Sequence, residues 1–228
     1  MVSVIRFMTS NPRLYGHFSF WAVFRGSEAG LSLMRLSSLS VALTVMMALA
    51  GCTFKSVPEP ELSARDAEWM AQVPKAEEDM RYGRYLMDDP TGEAPGTVVV
   101  DTKERFLYYV LPGKKVIRYG VAVGDEAYGW TGTARVARKA EWPDWNPPPE
   151  MKARWPHVKF TKGGPENPLG ARALYLYDGN KDTLYRIHGT NEPEKIGLAV
   201  SSGCIRMRNI DVVDLYNRVD VNAKVIVR

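Results

Sequence analysis

IHGTNEPEKIGLAVSSGCIRMRN, residues 187–209, sets His188 sixteen positions ahead of Cys204, one of only two cysteines in the chain. A thiol attacks well only as its thiolate, and an imidazole within reach can take the proton. Gly203 lets the backbone approach a ligand closely, and the N–H groups of Gly203 and Cys204 are candidate donors to an oxyanion. Arg206 and Arg208 favour a thiolate and offer guanidinium groups to a substrate carboxylate. Two readings stay open on the residues alone. Cys204 and His188 form a reactive pair, or they are a small packed thiol and a satisfied strand histidine. The polar, charged neighbours of Cys204 favour the first.

Working outward, ALYLYD (173–178) and TLYRIH (183–188) flank Gly179-Asn180-Lys181 and predict a hairpin ending at His188. Downstream, Asn209 starts a predicted helix with Val212, Val213, Tyr216 and Val219 at helical spacing. Further strands are predicted in TVVVD (97–101), RFLYYV (105–110), KVIRYGV (115–121), TARVARK (133–139) and AKVIV (223–227). Many short strands with one late helix imply a β-rich sandwich. Between strands lies a long stretch rich in tryptophan and proline, 140–170, with Trp142, Trp145, Pro147-Pro148-Pro149 and Trp155. Loops of that length often shape a binding site. The alternative is that its tryptophans only pack it onto the sandwich. His157, within it, reads as a loop residue.

The chain has 228 residues, 45% of them hydrophobic, enough for one domain with a core plus extensions. Its net charge of +4 belongs mostly to the first 51 residues, which hold four arginines and one acid. The remainder carries no basic run that would suit nucleic acid. Only His157 and His188 lie past that leader, so a histidine-based metal site is not expected. Met34-Arg35, a short apolar run and Leu49-Ala50-Gly51-Cys52 read as a secretory signal, the run being too short to span a bilayer comfortably. Ala48-Leu49-Ala50 also fits ordinary cleavage, and Met34 competes with Met1 as the start. LAGC resembles a bacterial lipobox, which implies that Cys52 is a lipid anchor. A Cys52–Cys204 disulfide is the competing use of the two thiols. Residues 53–95 read as a tether, with Pro58 and Pro60 extended and a short helix capped by Ser63.

HGT, a spacer and SSGCIRMRN together resemble the signature of the L,D-transpeptidase (YkuD-type) catalytic domain of bacterial cell-wall enzymes. The resemblance runs from about Gly96 to Arg228. Ser202 stands where many members carry a second histidine. The resemblance implies a mainly β fold: a mixed β-sandwich with a short helix after the cysteine, and no cofactor. It implies a cysteine acyl-enzyme formed on peptidoglycan tetrapeptide stems, with Cys204 as nucleophile and His188 as acid and base. Carbapenems acylate that cysteine in the family. Arg206 and Ser202 are then substrate-binding candidates. Gly189 or Asn191 is the expected orienter of His188. The acceptor is a second stem, an outer-membrane protein or lipoprotein, a D-amino acid or water. A periplasmic enzyme, lipid-anchored to the outer membrane, is the expected setting. Two other classes compete. Cysteine-dependent peptidoglycan peptidases of papain or NlpC/P60 type place Cys before His, the reverse of the order here. A non-catalytic wall-binding lipoprotein would keep the groove without an activated thiol.

Overall fold

The run Val98-Val99-Val100 is apolar without alternation because both sides of its strand are covered. In the computed structural model, which describes residues 54–125 and 129–228, this run forms β3 (Val98–Asp101). Val98 and Val100 face the main core, while Val99 joins Val110 and Val116 in a second cluster on the other side. The other strands are β1 (Lys55–Ser56), β2 (Tyr85–Asp88), β4 (Phe106–Leu111), β5 (Lys115–Gly124), β6 (Gly132–Glu141), β7 (Arg172–Asp178), β8 (Lys181–His188), β9 (Ala199–Ser201), β10 (Ile205–Met207) and β11 (Lys224–Val227). Among the described residues three α-helices accompany them: α1 (Ala64–Met70), α2 (Pro149–Arg154) and α3 (Asn209–Arg218).

The strands pair in the order β1-β2-β5-β10-β8-β7-β6-β11-β3-β4. β4 pairs in turn with β5, so the path from β5 to β4 closes on itself. β9 adds to the end of β5 in parallel. Inside the closure lies one core drawn from nearly every strand, including Leu107, Tyr119, Leu174, Leu176, Ile187 and Met207. α3 presses Val212, Val213 and Leu215 into it. The mainly β sandwich with a helix after the cysteine is therefore what the chain forms. α3 also buries two carboxylates. Asp214 accepts the Tyr119 hydroxyl at 2.6 Å and pairs with Arg218, and Asp211 pairs with Arg84 and Arg208.

Residues 54–95 are not the tether expected of them. β1 and β2 extend the sheet through β5. Ser63 does cap α1, accepting from the Asp66 N–H at 3.1 Å, and the helix ends at Met70. Asp66 then reaches into the domain. It takes two guanidinium bonds from Arg172 at 2.8 and 2.7 Å and one from the Trp142 indole at 2.7 Å. Arg84 is similarly buried, donating to Asp211 at 3.1 Å and to the Pro58 carbonyl at 3.0 Å. A segment whose buried charges are paired this way is part of the fold, not a spacer. The expected leader, the choice of start and the anchor Cys52 lie outside the described residues. Among the described residues no helix is long and apolar enough to cross a membrane.

Candidate active site

Strand register brings the pair together. β10 runs parallel to β8 with Ile205 beside Ile187 and Arg206 beside His188. Side chains two apart share a face. Arg206 and His188 therefore point one way and Ile205, Ile187 and Met207 point into the core. Cys204 sits one step before β10, next to Arg186, on the same side as His188 and diagonal to it.

The turn before Cys204 is fixed by Ser201. Its hydroxyl, buried, donates to the Cys204 carbonyl at 2.6 Å and accepts the Gly203 N–H at 3.2 Å. In this structure the Gly203 amide is engaged by that hydroxyl. Gly203 has φ 116°, a conformation that L side chains rarely adopt, and its backbone packs directly on Gly124.

His188 is buried at the end of β8, and its Nδ1 lies 2.6 Å from the Gly189 carbonyl. A carbonyl only accepts, so Nδ1 carries the proton and Nε2 is the basic nitrogen. Asn191 does not orient the ring. Its amide donates to the Glu166 carbonyl at 3.0 Å. The loop after His188 is held by Asn209, whose side-chain oxygen accepts the N–H of Ala171 at 3.0 Å and of Thr190 at 3.1 Å. Its amide donates to the Thr190 carbonyl at 2.9 Å. Gly170 and Gly189 pack so tightly here that a Cβ at either position would collide with that oxygen.

Electrostatics make both partners neutral at rest. Burial, then the charge of Arg206, pushes the His188 pKa down to about 3, against a smaller upward pull from the Gly189 carbonyl. Burial pushes the Cys204 thiol up, outweighing the Arg186 N–H and the charges of Arg186 and Arg206. The residue keeps partial exposure at the cleft. The expected favouring of the thiolate by arginine is real for Arg206 but loses to burial.

Cys204 and Ser202 line a cleft of about 610 Å³. Its far wall is the tryptophan- and proline-rich stretch, through Trp145, Pro148, Met151 and Trp155. Trp142 does otherwise. It is buried, edge-on to Trp69 at 5.2 Å, so one tryptophan packs while two shape the cleft. His157 is exposed. Arg206 does not stand free for a substrate: it donates to Glu192 at 2.8 Å. Arg208 is held between Asp211 and Glu78, both at 2.7 Å. The residue that sequence reading passed over is Arg186, which lines the cleft beside Cys204.

Residues 95–227 match the model of the YkuD family, the L,D-transpeptidase catalytic domain, and the chain belongs to that family. It is similar to "Probable L,D-transpeptidase YbiS" of Escherichia coli (strain K12), 37% identical over 138 residues, covering 56% of this chain and 43% of that protein. Similarity to "Probable L,D-transpeptidase ErfK/SrfK" of the same organism is 36% over 138 residues, with 56% and 42% covered. The chain thus spans less than half the length of these relatives. Among solved structures, a probable carnitine operon oxidoreductase from Brucella melitensis is 45% identical, covers 68% of this chain and 94% of that one, and superposes with a TM-score of 0.44.

Proposed function

We propose that this chain is an L,D-transpeptidase that forms a cysteine acyl-enzyme on peptidoglycan tetrapeptide stems. The observation that carries the reading is the placing of Cys204 and His188 on one face of paired strands, with Cys204 at the wall of a cleft and His188 buried behind it. Both groups are neutral at rest, so the thiol proton passes to His188 Nε2 as sulfur attacks the carbonyl of the third stem residue. The Cys204 N–H faces the charge that develops on the carbonyl oxygen. Collapse expels D-alanine, whose nitrogen takes the proton from His188. An acceptor amine, from a second stem or a wall-attached protein, gives its proton to His188 and resolves the thioester. Cys52, by its place after the apolar run, anchors the enzyme by lipid at the outer membrane facing the periplasm. Lipid labelling should be lost in Cys52→Ala, and equal labelling would remove the anchor from the reading.

The decisive test is intact-protein mass spectrometry with a carbapenem and with a tetrapeptide donor. Wild type should gain one acyl group and Cys204→Ser none. His188→Ala should acylate at least ~100-fold more slowly, the scale of general-base loss. The double variant should lose no more than either single one. An adduct that persists in Cys204→Ser would sink the reading.

A further inference from the structure

One transverse row of side chains leads across the sheet to the nucleophile. β6 pairs Arg138 with Tyr175 of β7, and β7 pairs Tyr175 with Arg186 of β8. The parallel register of β8 with β10, extended by one residue, sets Arg186 beside Cys204. The row therefore reads Arg138, Tyr175, Arg186, Cys204 on one face. The two guanidinium groups lie over the Tyr175 ring, Arg138 at 3.5 Å and Arg186 at 4.5 Å from its centre. Tyr175, Arg186 and Cys204 line the same cleft.

The chain goes to some length to hold Arg186. In a straight strand, residues four apart are separated by about 13 Å. Here β8 bulges between the pairs Asp182–Tyr177 and Arg186–Tyr175, so that three residues oppose one. Leu184, within the bulge, has φ 64°, costly for a branched side chain. The bulge lets Asp182 reach Arg186 with two bonds, 2.7 Å to Nη1 and 2.8 Å to Nη2. Nη1 also donates to the Tyr185 carbonyl at 2.8 Å. This ties one edge of the guanidinium. Nε and the second Nη2 proton beside it make no hydrogen bond among the described residues, while Nη2 spends its other proton on Asp182, and together they form a second fork of the right shape for a carboxylate. Asp182 neutralises one of the two cations, so the row keeps the charge of the exposed Arg138.

We propose that Arg186, backed by Arg138 across Tyr175, binds the free carboxylate of the residue that leaves from the acyl donor. The assignment rests on the function proposed above. Neighbouring strands are about 4.8 Å apart, and an extended peptide advances about 3.4 Å per residue. A carboxylate on Arg186 with its carbonyl at Cys204 must therefore belong to the residue next to the scissile bond. In a tetrapeptide stem that is the C-terminal D-alanine. Arg206, engaged by Glu192 and beside His188, is left to the electrostatics of the base.

The test compares two synthetic stems that differ only in whether that D-alanine ends in a carboxylate or a carboxamide, using the purified full chain. Wild type should prefer the acid by roughly 10- to 100-fold in kcat/KM, the range of a charge-assisted fork. Arg186→Gln should shrink that preference to about 3-fold or less, with the loss mainly in KM because the contact exists before and during reaction. Arg186→Lys should fall between, keeping charge without the fork. Arg138→Gln, on an exposed side chain, should lower the preference by about 2- to 3-fold and carries the test if Arg186→Gln does not fold. A purely structural Arg186 would lower both substrates equally and leave the ratio intact, which overturns the assignment. So does a wild type that acylates and turns over both stems alike. A wild type that forms no adduct with either stem overturns the transpeptidase reading and this assignment with it.

Discussion

The proton on Nδ1 of His188 determines what each residue of the pair can do. With that nitrogen committed to the Gly189 carbonyl, the ring has one basic site, and its pKa of about 3 keeps that site unprotonated through the neutral range. The acid limb of kcat/KM, which reports the free enzyme's base, should therefore lie well below the ordinary histidine value of 6.5. A rate profile that already falls between pH 7 and 6 would contradict this. Arg206→Gln removes a cation that disfavours imidazolium, so the limb should move upward. It should stop short of 6.5 because burial, the larger cause, remains. The same burial ties stability to pH. The unfolded histidine binds a proton below about 6.5 and the folded one only near 3, so stability falls as pH drops through that window. Alkylation of Cys204 should rise only above the ordinary thiol range, since burial raises its pKa. The resting titration of the thiol consequently does not separate a catalyst from a binding module; turnover does.

At the scale of elements, the active pair depends on one asparagine. Asn209 begins α3, yet its side chain serves the loop that follows β8 and the strand start at Ala171. Asn209→Ala leaves two buried N–H groups and one carbonyl without partners, each costing about 1–3 kcal/mol. The variant should lose at least about 3 kcal/mol of stability in urea titration, and kcat should fall as His188 loses its support. An unchanged unfolding midpoint would show that water replaces the amide. This residue was visible in the sequence as the end of the motif, but its work was not. Only the fold brings residues 171 and 190 to it. Strands with a full period of alternation, such as β4 and β7, were legible from 105–110 and 173–178. β1, β2, β9 and β10, with two to four residues each, are too short to show a period. α2 was hidden by three prolines, which read as loop although Pro149 sits in the first turn, where its missing N–H costs nothing. Arg186 could not be singled out before the register was known, because nothing in TLYRIH says which residue of β10 lies beside it.

The family match begins at residue 95, while packing among the described residues reaches back to Phe54, edge-on to Tyr85. Two buried ion pairs, Asp66–Arg172 and Arg84–Asp211, join the earlier segment to β7 and α3. Asp66→Ala leaves the Arg172 guanidinium buried and unpaired, at a cost of about 3–5 kcal/mol. Thermal unfolding monitored by circular dichroism should drop by on the order of 10 °C. The Arg172 guanidinium also holds the Asp66 carboxyl well below the usual carboxylate range. Its stabilisation is present above the unfolded value of 3.8 and is lost as pH falls below it. Asp66→Ala should therefore differ from wild type at pH 7 and converge with it in acid. Because Arg172 also receives the Gly189 N–H on its carbonyl at 3.0 Å, the loss should reach the active pair and lower kcat. Composition hinted at none of this, since the segment has the prolines and charges of a linker.

The closure of the sheet has a consequence for how the protein comes into being. β3 lies beside β11, pairing Val98 with Val225 and Val100 with Val227. These partners are far apart along the chain, and the loop between them must be drawn together before either strand is satisfied. A ribosome delivers β11 long after β3, so the growing polypeptide stays open with its valines uncovered until that late strand arrives. Cys204, set between β5 and β8, takes its place only within that late closure. Until that closure the thiol is an ordinary side chain of an open chain, and the burial that sets its titration arises only when the last strand docks.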